Sequence, residues 1–188
     1  MKSAVILHGC CDEAEYFSNQ YPSSSNSHWI PWLQKQLLIN GIFTQTPEMP
    51  EPYKPSYEKW CQVFEKFDIN EKTILVAHSC GAGFLLRWLS ENQACINKLI
   101  LVAPWLDPKK IKAPFLTFTI DPNLEKRVVE MHVFISEDET VDGVRESVET
   151  IKAMFSKTIF HQCKDKGHFS FEEMKTDIFP ELLEVVLS

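Results

Sequence analysis

Short apolar runs alternate along the chain with longer segments of helical periodicity. Most of the short runs are rich in Val, Ile and Leu, which is typical of strands that are buried on both faces of a sheet. The predicted strands cover residues 4–7, 42–45, 73–77, 99–103, 131–135 and 158–161. The near-absence of polar alternation within them favours a parallel sheet covered by helices.

Between these runs, apolar positions recur every three or four residues, which predicts helices. The predicted helices cover residues 29–40, a segment that begins at Ser56, and residues 81–91, 141–155 and 171–187. Strands alternating with helices indicate right-handed β-α-β units on a parallel sheet. A polar loop at 18–28 and a proline-rich loop at 47–55 do not separate two cores. We therefore predict one α/β domain over residues 1–188.

Composition and charge narrow the classes of function. The chain has 188 residues, of which 44% are hydrophobic and 24% charged, and this balance excludes a disordered protein. Its net charge is −7, which argues against nucleic-acid binding because phosphate contacts need a basic surface. We expect no nucleic-acid partner.

Apolar runs and cysteines predict where the protein resides. No apolar stretch reaches the roughly 20 residues of a membrane span, and the run 4–7 is too short for a secretion signal. We predict a cytoplasmic protein with reduced thiols and no membrane partner. The cysteines include no Cys-x-x-Cys pair, so we expect no metal. Residues 81–83 are too short for a dinucleotide fingerprint, and we expect no cofactor. The cysteines are Cys10, Cys11, Cys61, Cys80, Cys95 and Cys163.

The clearest chemical signal is the segment 74–83, whose sequence is ILVAHSCGAG. A buried strand ends in a sharp turn at Ser79, and a helix follows at once. Ala77 and Gly81 flank the serine with small side chains, which a nucleophile elbow needs in order to avoid clashes between sheet and helix. Ser79 is therefore the predicted nucleophile, and the Cys80 N–H is a predicted donor to an oxyanion.

A nucleophilic serine requires a base and an acid, which follow it in the order acid, then histidine, in this kind of fold. His168 is the predicted base because it lies in a loop beside Gly167, whereas His132 and His161 lie in predicted strands. Asp138 is the predicted acid because it follows the fifth strand at the sheet's carboxyl edge. The competing acids are Glu137, Glu139 and Asp142, with Asp165 a weaker one.

The loop after the first strand is expected to complete the site. Gly9 permits a tight turn there, and the Cys10 N–H is the predicted second oxyanion donor. Cys10, Cys11 and Cys80 should converge near Ser79, where oxidation or a soft metal is expected to inhibit the protein. The predicted substrate pocket is lined by His8, Gly9, Cys11, Trp29, Trp105 and Phe169.

Together these motifs resemble the small serine hydrolases of the YdeN and retinoblastoma-binding-protein-nine family. The matching pieces are His8-Gly9, Trp29-x-x-Trp32-Leu33, Met49-Pro50, residues 74–81, Leu101-Val102-Ala103, Asp138-x-x-Val141 and Gly167-His168-Phe169. They span nearly the whole chain in order. The sequence departs from the family at Cys10-Cys11, where a glycine-rich segment is usual, and at Ala77, where the elbow usually begins with glycine.

The resemblance implies a three-layer α/β hydrolase-like fold with about six parallel strands in the order 2-1-3-4-5-6 and no large cap domain. It also implies the triad Ser79, Asp138 and His168. The predicted function is hydrolysis of a small ester, thioester or amide through an acyl-enzyme intermediate, by a monomer or weak homodimer whose partner is a small acyl substrate. The alternative is a catalytically weak scaffold of the same fold that binds proteins.

Overall fold

A six-stranded, wholly parallel sheet organises residues 2–188, the part of the chain that the computed structural model describes. The strand order is β2-β1-β3-β4-β5-β6, which confirms the predicted fold. The strands are β1 Ser3–Leu7, β2 Phe43–Gln45, β3 Thr73–His78, β4 Ile96–Val102, β5 Val128–Ser136 and β6 Ile159–Cys163. Register is continuous across the centre, where Val76 of β3 pairs with Ile6 of β1 and Ile100 of β4.

Seven α-helices connect or flank these strands in the described residues. They are α1 Glu13–Phe17, α2 Ile30–Ile39, α3 Tyr57–Phe64, α4 Cys80–Glu91, α5 Val144–Met154, α6 Phe171–Met174 and α7 Pro180–Leu187. Two short 3₁₀ helices occupy Ser24–Asn26 and Leu124–Lys126.

The helices differ from the predicted ones in three places. The segment 171–187 is divided into α6 and α7, because Lys175 takes a left-handed conformation after α6 and Pro180 starts a new helix. Helix α5 begins at Val144, after Gly143 at φ 87°. Helix α1 has no buried residue, so its sequence lacks the apolar periodicity from which a helix can be predicted.

Helices cover both faces of the sheet. From β1 the chain moves outward to β2 and then returns across the sheet to β3, β4, β5 and β6. Because parallel crossovers are right-handed, this reversal places α2 on one face and α3 and α4 on the other. Helix α7 packs beside α2. The core is densest at the centre, where every residue of β3 is buried.

One close approach brings the start of α4 against the end of β1. A Cβ atom at Gly81 would lie 2.2 Å from the carbonyl oxygen of His8, so only glycine fits there. The carboxyl ends of β1 and β3 and the first turn of α4 therefore meet at one point. This is the edge of an open α/β sheet at which ligands commonly bind.

Candidate active site

Ser79 occupies the turn between β3 and α4. Its backbone has φ 53° and ψ −124°, a left-handed conformation that is costly for any residue other than glycine. The turn lies close to the β1 loop, since a Cβ at Gly9 would be 3.0 Å from the Ser79 Cβ. Such a strained strand-to-helix turn lifts the serine hydroxyl out of the sheet.

A chain of hydrogen bonds links this serine to a buried carboxylate. His168 Nε2 lies 2.9 Å from Ser79 Oγ, and His168 Nδ1 lies 2.8 Å from Glu139 Oε1. The Glu139 side chain is fully buried, and the imidazole is 13% exposed. The structure thus brings together Ser79 and His168, the predicted nucleophile and the predicted base. A carboxylate orients the histidine ring.

The carboxylate at the histidine is Glu139, and the prediction of Asp138 for this position is wrong in this structure. Asp138 instead accepts hydrogen bonds from the Ser136 hydroxyl and from the backbone N–H groups of Lys166 and Gly167. These bonds hold the pKa of Asp138 below its usual value, the Ser136 bond most strongly. Asp138 therefore anchors the loop that carries His168 and forms no hydrogen bond with its ring.

A second carboxylate fixes the same loop from the other side. The backbone N–H of His168 donates to Glu173 Oε2 over 2.5 Å, and the Thr140 hydroxyl donates to Glu173 Oε1 over 2.7 Å. Gly167, at φ 51°, lies so close to Glu173 that a Cβ there would clash with its carboxyl carbon. Asp138 thus binds the backbone N–H groups of the two residues that precede His168, and Glu173 binds the backbone N–H group of His168 itself.

The two predicted oxyanion donors are the backbone N–H groups of Cys10 and Cys80, which belong to the two segments that approach each other at Ser79. The Cys80 N–H belongs to the first turn of α4, where backbone N–H groups have no partner within the helix. His8 Nδ1 donates to the carbonyl oxygen of Gly9 over 2.7 Å. Because the C=O and N–H of a trans peptide point in opposite directions, this bond turns the Cys10 N–H away from His8.

The proton on His8 is located by its second hydrogen bond. The backbone N–H of Met49 donates to His8 Nε2 over 2.8 Å, so Nε2 accepts and Nδ1 carries the hydrogen. Burial lowers the pKa of His8, which favours the neutral ring. His8 is thus an anchor of the loop rather than a base.

The residues that carry the two donors are joined covalently. Cys10 and Cys80 form a disulfide with their Cα atoms 5.8 Å apart. The expectation of reduced thiols is therefore wrong for this pair, although Cys11, Cys61, Cys95 and Cys163 are free. The expected convergence of cysteines at Ser79 is seen, since Cys11 also lines the cleft around the serine.

His78 is a site residue that the sequence reasoning missed. Its Nε2 lies 2.7 Å from the carbonyl oxygen of His168, to which it donates, and its ring lies 4.9 Å from the His168 ring. The residue is 3% exposed. Burial, and then the neighbouring His168 and His28, hold the pKa of His78 well below its usual value. Its position next to Ser79 was the only signal in the sequence.

Replacing His78 tests whether this bond positions the base. We expect His78→Phe to lower kcat about tenfold with little change in KM, because a small displacement of His168 weakens its alignment with Ser79. His78→Gln keeps an N–H donor near the same place and should retain more of the rate. Steady-state kinetics of both variants, with thermal unfolding as a check on folding, provide the measurement. Equal losses in both would contradict a role for the bond.

The predicted pocket residues divide into two groups. His8, Gly9 and Cys11 line a cleft of about 80 Å³ around Ser79. Trp29 and Phe169 do not line it, because both are completely buried and pack on Phe179 in the core.

Trp105 also lies outside this cleft. Its indole N–H donates to the Asp142 carbonyl, while its backbone N–H donates to the carbonyl of Ser79. The backbone hydrogen bond from Trp105 therefore stabilises the turn at Ser79. The sequence reasoning did not identify five further residues that line the cleft, which are polar and come mostly from loops. They are Glu15, Ser24, Ser27, His28 and Ser170.

Residues 2–188 contain neither a cluster of metal ligands nor a membrane-spanning helix. No group of three or more His, Cys, Asp or Glu residues in that range has an arrangement that could hold a metal ion. None of the helices there is both long enough and apolar enough to cross a membrane.

This fold and this serine turn define the class of the protein as an α/β hydrolase. The family model "Serine hydrolase" matches residues 18–184, and the chain belongs to that family. The resemblance indicated by the sequence motifs is thereby confirmed. The putative hydrolase YdeN of Bacillus subtilis (strain 168) is 39% identical over 94 residues. That match covers 49% of this chain and 44% of YdeN, so it spans less than half of the relative's length.

Solved structures agree with this fold. The crystal structure of the ydeN gene product from B. subtilis superposes with a TM-score of 0.83 at 24% identity, covering 100% of this chain and 97% of that one. The carboxylesterase CesB from Bacillus subtilis gives a TM-score of 0.61 at 13% identity, covering 100% of this chain and 82% of that one. At these identities the likeness concerns the fold alone. Membership of the serine hydrolase family supports a hydrolase activity.

Proposed function

We propose that the protein hydrolyses a small ester, thioester or amide through an acyl-enzyme intermediate on Ser79. The observation that carries this proposal is the chain of hydrogen bonds from Ser79 Oγ through His168 to the buried Glu139. A scaffold that only binds proteins has no need of a strained serine joined to an oriented imidazole. The reaction requires no cofactor in this form.

In the first half of the proposed reaction, Ser79 Oγ attacks the substrate's carbonyl carbon while His168 Nε2 takes the hydroxyl proton. Glu139 keeps the imidazole in the tautomer that presents Nε2 to the serine and stabilises the imidazolium. The carbonyl oxygen becomes an oxyanion that accepts hydrogen bonds from the Cys10 and Cys80 N–H groups. His168 then returns the proton to the departing alcohol, thiol or amine.

In the second half, water attacks the acyl-enzyme ester. His168 Nε2 takes a proton from the water, a second oxyanion forms in the same place, and the bond to Ser79 Oγ breaks. The proton passes back to Ser79, and a carboxylic acid leaves. The enzyme is restored with one water consumed.

Labelling with a fluorophosphonate probe tests the nucleophile. We expect wild type to be labelled and both Ser79→Ala and His168→Ala to remain unlabelled, because the probe reacts with a serine that its base has activated. Ser156→Ala, which removes an exposed serine outside the cleft, should be labelled as wild type is. Gel fluorescence and intact mass measure the result. A folded wild type that stays unlabelled would contradict the proposal and favour the protein-binding scaffold.

A further inference from the structure

The cleft around Ser79 continues into a larger cavity of about 550 Å³. The two spaces share five lining residues, which are Cys10, Glu15, Ser27, His28 and Ser170. A substrate whose carbonyl carbon lies at Ser79 can therefore extend one of its ends into this cavity. The volume suits a small organic group.

All of the ionised side chains that line this cavity are acidic. They belong to Glu15, Glu172 and Asp177, and no Lys or Arg lines it. Across residues 2–188, none of these three carboxylates takes part in an ion pair. A neighbouring cavity of about 290 Å³ also includes Glu15 and adds Glu48. No Lys or Arg side chain lines either cavity, so neither of these residue types compensates the negative charge there.

Glu15 is the carboxylate closest to the chemistry, because it lines the serine cleft and both cavities. Partial burial raises the pKa of Glu15, and the negative charges of Asp12 and Glu172 raise it further. This repulsion between like charges would be relieved by a cation between them.

The remaining walls suit the apolar part of such a cation. Tyr21 and Phe171 line the cavity with aromatic rings, and Pro22 and Pro31 add apolar surface. Aromatic faces attract ammonium groups, and both of these rings are about half exposed to solvent, so a ligand in the cavity can reach them. His28 adds no positive charge, because burial lowers its pKa and its Nδ1 accepts a hydrogen bond from the Phe171 N–H.

We propose that the substrate carries a positively charged alkylammonium group in this cavity, and that Glu15 determines this specificity. The proposal rests on the proposed hydrolysis at Ser79, because the cavity is defined as a continuation of that cleft. It concerns the charge of the substrate, which the catalytic residues leave open. Substrates with a free carboxylate at this position should be rejected, because the carboxylates there repel it.

Three 4-nitrophenyl esters that differ only at the far end of the acyl chain test the charge. They are the esters of 6-(trimethylammonio)hexanoic acid, its neutral isostere 7,7-dimethyloctanoic acid, and heptanedioic acid as its monoester. We expect kcat/KM to be about tenfold higher for the cationic ester than for the neutral one, and lowest for the anionic one. Added salt should reduce these differences.

Glu15→Gln should reduce the preference for the cationic ester severalfold, measured as the ratio of kcat/KM for the cationic ester to kcat/KM for the neutral ester. Glu172→Gln provides a second variant at the same cavity. The matched control is Glu71→Gln, which removes one exposed negative charge just before β3, at the opposite edge of the sheet. It should leave the preference unchanged.

The outcomes separate the two proposals. Hydrolysis of the neutral ester as fast as the cationic one, or an unchanged preference in both Glu15→Gln and Glu172→Gln, would overturn the charge proposal while leaving hydrolysis at Ser79 intact. If none of the esters is hydrolysed and wild type also resists the fluorophosphonate probe, the proposed function fails, and the charge proposal fails with it.

Discussion

Glu139→Gln is expected to lower kcat/KM about 10⁴-fold, the loss that follows when the acid of a serine triad becomes an amide. The Glu139 carboxylate accepts from His168 Nδ1 over 2.8 Å and is fully buried. The amide of a glutamine can instead donate to Nδ1, which favours the tautomer that places the proton on Nε2. His168 could then no longer take the proton of Ser79. Steady-state hydrolysis of a 4-nitrophenyl ester measures the loss.

Asp138→Asn is the matched control, because it removes a carboxylate from the adjacent residue. We expect a loss of about tenfold or less, since an asparagine oxygen can still accept from the Ser136 hydroxyl and from the Lys166 and Gly167 N–H groups. Circular dichroism and thermal unfolding would confirm that both variants fold. If Asp138→Asn caused the larger loss, the triad would follow the sequence motif, and the geometry around His168 would not describe the working enzyme.

Breaking the Cys10–Cys80 disulfide is expected to lower kcat up to about 10²-fold, comparable to the loss of one oxyanion donor. The bridge joins the two residues whose N–H groups would hold the oxyanion. Residues 8–12 belong to no helix or strand, so the bridge limits their movement relative to α4. This expectation has the opposite sign from the one drawn from the sequence, where oxidation was expected to inhibit.

The measurement compares kcat before and after reduction, with recovery on reoxidation. Cys10→Ala and Cys80→Ala should each have the activity of the reduced wild type and no longer respond to reductant. Cys95→Ser, which changes an exposed free cysteine, should respond as wild type does. Cys11→Ser separates the bridge from its neighbouring thiol in the cleft. Higher activity after reduction would show that the bridge obstructs the site.

The strands were predictable because the central ones are buried on both faces. Their apolar runs are nearly unbroken, and β3 has no exposed residue. Elements outside the core carried no such signal. Helix α1 has no fully buried residue, and α6 has only four residues, so neither produces an apolar period long enough to recognise. The division of 171–187 depends on the left-handed backbone of Lys175, which apolar periodicity does not reveal.

In the site, the sequence indicated Ser79 because Ala77 and Gly81 flank it where a strand ends and a helix begins, and it indicated His168 because that residue follows Gly167 in a loop. The acid was harder, since several carboxylates follow β5 in succession. The Glu139 N–H bonds back to the Ser136 carbonyl, and this turn directs Asp138 to the backbone of the 165–167 loop. Which of two adjacent acids reaches the histidine depends on that turn, and on the extra methylene of glutamate.

The three groups joined at Ser79 come from residues 79, 139 and 168, and the loop carrying the last of them follows the edge strand β6. A ribosome therefore synthesises the proposed nucleophile long before the proposed base. A nascent chain that ends before residue 168 lacks the base that would take the proton of Ser79. The proposed hydrolysis therefore requires that the loop after β6 has packed against the rest of the sheet. For this reason, we expect the recovery of activity during refolding to follow the docking of β6 more directly than circular dichroism does, because circular dichroism measures the secondary structure of the whole chain.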